Sequence, residues 1–163
     1  MSLLGELYAA NVASRRFLHS RLTPGSRTIE EHRQLVADAI YPDPFNKRRV
    51  SVRDAAAAIV EYRRSTGDAS GTVDLMLTFV EAGTEQAADL GYGDEAYFNA
   101  LQIRLDAVAK EFDTLPADVR AKVRARLGRI QVRAQDVGWG FSDAVEEVVH
   151  ALDARAARVR PAR

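Results

Sequence analysis

Apolar residues along this chain recur every three or four positions and almost never alternate, a pattern that predicts helices and no strands. A first helix is expected over residues 3–22, with Leu4, Leu7, Tyr8, Val12, Phe17 and Leu18 near one side and a stop at Thr23-Pro24-Gly25. A second is expected to begin at Thr28, where a capping box with Glu31 would satisfy free amide donors reciprocally. It carries Leu35, Val36 and Ala39 and ends before Tyr41-Pro42-Asp43-Pro44, because proline disfavours helical geometry in the residue before it.

Ser51 with Asp54 forms a weaker box, opening a third helix through Ile59, Val60 and Tyr62 that stops at Thr66-Gly67-Asp68. The segment from Ser70 to about Asp89 is apolar around most of its circumference and reads as the central, buried helix. Gly91-Tyr92-Gly93 breaks it, and Asp94 is placed to cap the next helix, which carries Tyr97, Phe98, Leu101, Leu105 and Val108. Pro116 suits the first turn of another helix, to about Asp136. After the glycines around Trp139, a last helix starts at Ser142 or Asp143 and runs to about Arg155.

These elements predict an all-α, compact irregular bundle of six to seven helices, one domain over residues 1–155 with a frayed, disordered tail over 156–163. The alternative is a short α-solenoid of three helical hairpins. Helix pairs begin near residues 28, 70 and 116, close to the ~40–47-residue period of such repeats, although no residue-level similarity accompanies the spacing.

Composition narrows the function classes. The 163 residues carry 23 basic and 23 acidic side chains, so the whole molecule has no bulk attraction for nucleic acid or membrane. Distribution changes that picture: residues 1–66 hold 11 basic and 7 acidic groups, residues 67–116 hold 2 and 10, and residues 117–163 hold 10 and 6. An acidic middle between basic flanks implies either attraction within one fold or separate faces for partners. Absence of cysteine excludes a disulfide framework and a thiolate zinc site. With no basic, apolar leader at Met1–Gly5 and no apolar run approaching 18 residues, the expectation is a cytoplasmic protein without membrane association.

Candidate chemistry is sparse. Lys122, Arg126, Arg129 and Arg133 fall within about 60° of one another on a helix, a basic stripe able to track a phosphate backbone or to pair with the acidic middle segment. Lys47-Arg48-Arg49, beside Tyr41, Pro42 and Phe45, reads as a recognition loop or a linker docked on the core. Asp74, Glu81, Glu85 and Asp89 share another helix face; such stacked carboxylates either hold a hard cation or pair with arginines. His19, His32 and His150 are dispersed without His-x-x-x-His spacing, so no catalytic residue, metal ligand set or cofactor is assigned. The glycine-flanked stretches Gly93–Phe98 and Gly138–Asp143 either line a pocket together or anchor interhelical turns.

In order, Tyr41-Pro42-Asp43-Pro44-Phe45, Glu61-Tyr62-Arg63-Arg64-Ser65-Thr66-Gly67-Asp68, Asp74–Gly83, Asp94–Phe98 and Gly138–Asp143 form a set that resembles an uncharacterised bacterial family of all-helical proteins, a domain of unknown function. The resemblance spans about residues 30–152 and implies one intact domain but no activity. The site it implies reduces here to Glu81, Asp94, Glu95, Trp139 and Asp143. This chain departs from the family pattern at Leu90-Gly91-Tyr92 and at Ser142, where the family carries a histidine. The leading expectation is a non-enzymatic protein-interaction module, self-association included. A nucleic-acid binder using the basic stripe and a carboxylate-dependent metal binder or enzyme are the alternatives.

Overall fold

A computed structural model describes residues 26–43, 45, 48–138 and 140–159. The helix expected over residues 3–22 lies outside them. Helix α1 spans Ser26–Ile40, α2 Val52–Thr66, α3 Ala69–Leu90, α4 Glu95–Glu111, α5 Ala117–Arg133 and α6 Phe141–Val159, with a 3₁₀ turn at Phe112–Thr114. Among the described residues there is no strand, and the six helices pack into a compact bundle.

Local chemistry sets most of the boundaries. Ser51 Oγ accepts the Asp54 amide at 3.2 Å, Asp68 Oδ1 the Gly71 amide at 3.0 Å and Asp94 Oδ1 the Tyr97 amide at 2.9 Å, so three helices start on side-chain caps. Gly91 ends α3 in the left-handed region, φ 62°, where a side chain would strain the backbone. Three expectations shift. Helix α1 starts two residues before Thr28, which therefore sits inside its first turn and offers its carbonyl to His32 Nδ1 at 2.9 Å. Helix α5 ends at Arg133 rather than near Asp136. Helix α6 begins at Phe141 and continues to Val159, so residues 156–159 are helix rather than tail, and 160–163 fall outside the described residues.

Helix α3 is the hub, as its all-round apolar pattern predicts, and packs against α1, α2, α4 and α5. Phe79, Leu75, Leu77, Val73 and Val80 are fully buried in it. At Gly83 side chains of α4 come close: an added Cβ would sit 2.3 Å from Leu101 Cδ2, and the Tyr97 hydroxyl donates to the Gly83 carbonyl at 3.1 Å. Helix α6 closes the bundle on α4 and α5. The main helix contacts lie within hairpins α1/α2, α3/α4 and α5/α6 or between successive ones, so the repeated spacing in the sequence survives as packing order inside the bundle. No described helix is long and apolar enough to cross a membrane.

Candidate functional site

The densest polar structure is the seam between α3 and its neighbours α1 and α5. Arg126 reaches from α5 and grips Glu81 with two parallel bonds, Nε to Oε1 at 2.8 Å and Nη2 to Oε2 at 2.6 Å. Its Nη1 donates to Asp74 Oδ1 at 2.7 Å and to the Asp74 carbonyl at 3.3 Å, and Nη2 also meets Thr78 Oγ1 at 3.1 Å. From the other side Arg33 of α1 donates Nε and Nη2 to Asp74 Oδ2, at 3.1 and 2.8 Å, and pairs with Glu30. The bond to Asp74 holds the Arg33 guanidinium above its ordinary pKa, against the opposing effect of burial. Farther along, Asp89 accepts from Arg133 and, at 3.1 Å, from the Tyr41 hydroxyl.

This seam resolves two sequence expectations at once: the acidic face of α3 and the basic stripe of α5 pair with each other. Helical phase explains which arginine goes in. The apolar face of α5 runs through Val119, Val123, Leu127 and Ile130, and Arg126 lies about 20° from its edge while Arg129 lies about 80° away. Arg126 accordingly keeps 15% of its side chain exposed, and Arg129 keeps 69%, standing 3.8 Å from Glu81. The stripe is therefore not four free cations, since Arg126 and Arg133 are engaged, Arg129 sits beside Glu81, and Lys122 remains exposed. Asp74 and Glu81 are bound to guanidinium groups, and among the described residues no three His, Asp or Glu side chains gather in a way that could hold a metal ion. Between the two helices a groove of about 200 Å³ is lined by Glu81, Thr84, Glu85, Arg129, Ile130 and Arg133.

The described residues implied by the family resemblance have different settings. Glu81 belongs to the seam. Asp94 is used as the α4 cap, and Asp143 is exposed in the first turn of α6. Glu95 lines a hollow of about 150 Å³ with Phe98, Asn99, Gln102 and Phe141. There the two glycine-flanked stretches do meet, through Phe98 and Phe141 rings 5.9 Å apart. Trp139 lies outside the described residues.

Sequence reasoning missed where unpaired charge remains. Arg53, Ala57, Val60 and Arg64 form one exposed row on α2, with Arg48 and Arg49 exposed just before its start; none of the four arginines has an ionic or hydrogen-bonding partner among the described residues. Arg63, one position off that row, pairs with Glu111 at 2.7 Å. On α6, Asp143, Glu147, His150 and Ala154 form an exposed row with the same spacing, flanked by Glu146; its carboxylates meet no arginine or lysine among the described residues. Arg104 differs: it lies over the Phe79 ring, 5.1 Å from the centroid, and burial lowers its pKa. The row on α2 was legible in principle as an i, i+4, i+7, i+11 pattern, but nothing in the sequence marked its arginines as the unpaired ones.

Comparison of the chain with protein-family models, with curated proteins and with solved structures finds no match. The resemblance to an uncharacterised family thus rests on the motifs of the sequence.

Proposed function

We propose that this chain is a helical protein-interaction module, acting in the cytoplasm, that presents charged helix faces to partners and carries out no chemistry of its own. The observation that supports this reading most is the division of charge. The polar groups with the best-defined geometry, Arg126, Glu81, Asp74 and Arg33, bind one another and hold α1, α3 and α5 together. Four arginines on and before α2 are left facing solvent without partners among the described residues. Arginine is among the residues enriched at protein interfaces.

Capture of partners from a lysate by the tagged chain, with and without nuclease, tests the proposal. Proteins retained after nuclease and lost from an Arg53→Glu/Arg64→Glu variant are the expected result; an empty capture refutes it. A second reading, binding of single-stranded nucleic acid, is favoured by Phe45, which is 91% exposed and lies near Arg48 and Arg49. It predicts affinity falling steeply with salt, the slope shrinking by about one unit for each arginine removed. Binding insensitive to salt, or none to DNA or RNA, removes it.

A further inference from the structure

Among the described residues, two exposed helix rows carry charges of opposite sign at opposite ends of the hairpin order. The first hairpin carries the α2 row Arg53, Ala57, Val60, Arg64, extended by Arg48 and Arg49. The last carries the α6 row Asp143, Glu147, His150, Ala154, with Glu146 beside it. Each row runs from i to i+11, about 17 Å at 1.5 Å per residue, within an arc of roughly 60°. Helices α2 and α6 share no substantial contact, so within one molecule the two faces do not neutralise each other. Both have small or apolar side chains among the charges, Ala57 and Val60 on α2 and Ala154 on α6, which lets two helices approach closely.

We propose that the arginine face of α2 in one molecule docks, head to tail, on the carboxylate face of α6 in a second molecule of the same chain. The proposal rests on the interaction-module reading and names its partner. Charge complementarity favours a second copy over a polyphosphate chain. The centre of the α2 row is apolar, with Val60 53% exposed, and a phosphate backbone has no use for that centre. The matching carboxylates have no arginine or lysine partner among the described residues of the chain itself. A contact between two different faces is heterologous, so it propagates into a ring or a filament rather than ending at a two-fold dimer.

The test is a charge swap read by sedimentation of the full-length chain. Wild type should associate with rising concentration at low salt and dissociate as salt increases. Arg53→Glu/Arg64→Glu and Asp143→Lys/Glu147→Lys alter exposed positions, so circular dichroism should show both folded. Each alone should bind itself at least about tenfold more weakly than wild type, because like charges then face each other across the contact. An equimolar mixture of the two should regain association, since every contact again joins opposite signs.

Wild type that stays monomeric at millimolar concentration in low salt overturns the proposal. So does association that survives both reversals, or a mixture that fails to recover it. Tighter binding of a single-stranded RNA 20-mer than of a second copy, lost with Arg53→Glu/Arg64→Glu, assigns the α2 face to nucleic acid and overturns it too. If wild type is monomeric yet lysate proteins still depend on Arg53 and Arg64, self-docking fails while the interaction module stands.

Discussion

Replacing Arg126 with methionine should destabilise this protein more than any other single change in the charged stripe. Methionine keeps much of the aliphatic stem but removes a guanidinium that reaches Glu81, Asp74, Thr78 and the Asp74 carbonyl. Glu81 and Asp74, 27% and 29% exposed at their side chains, would then face the seam with only Arg33 and the distant Arg129 for compensation. Breaking a fully buried pair by deleting one partner costs about 3–5 kcal/mol, and partial exposure admits water that recovers some of this, leaving roughly 2–4 kcal/mol. At roughly 2–4 °C per kcal/mol for a domain of this size, Tm should fall by about 4–16 °C. Chemical denaturation of Arg126→Met beside Arg129→Ala is the assay, because Arg129 is exposed and should cost under about 0.5 kcal/mol. Adding Glu81→Gln to Arg126→Met should restore part of the loss by removing the stranded charge, a non-additivity that a double-mutant cycle isolates. Equal stabilities of the two single variants would refute the seam as a stabilising element.

Three further outcomes follow from the same geometry. Gly83→Ala should cost about 1–3 kcal/mol in denaturant titration, because the new methyl would sit 2.3 Å from Leu101 Cδ2 and the fully buried Leu101 must shift to admit it. Asp94→Ala should lower stability by about 1 kcal/mol through loss of the α4 cap, and should leave any captured partner in place, which separates capping from a role in binding. Burial raises the pKa of Tyr62, helped by its hydrogen bond to Asp68, and burial likewise raises that of Tyr97. Both favour their neutral forms in the fold, so their contribution is complete below the unfolded value of roughly pH 10 and is lost as pH rises above it. Stability measured from pH 8 to 11.5 should be flat and then fall, and Tyr62→Phe with Tyr97→Phe should flatten the fall.

Helices were readable because each was marked by signals acting within a few residues. The Ser51 and Asp94 caps and the Gly91 stop lie where the sequence placed them, and the apolar girth of α3 marked it as central. The Thr28 boundary shifted because the helix already begins two residues upstream at Ser26, and the α6 end because no Gly or Pro interrupts residues 156–159. Charge was harder to read, and the reason is geometric. Arg126 and Arg129 look equivalent in sequence, and Arg64 looks no different from Arg63. Which one finds a carboxylate depends on a neighbouring helix 45 or 48 residues away in the chain. Phase relative to the buried face already ranks the α5 stripe, with Arg126 at the apolar edge and Arg129 farthest out. No phase argument supplies Glu81 as the partner, because that requires knowing that α3 and α5 lie side by side. An arginine stripe is therefore informative about binding only after the fold has claimed its share, and here the fold claims most of the stripe on α5 and leaves the row on α2.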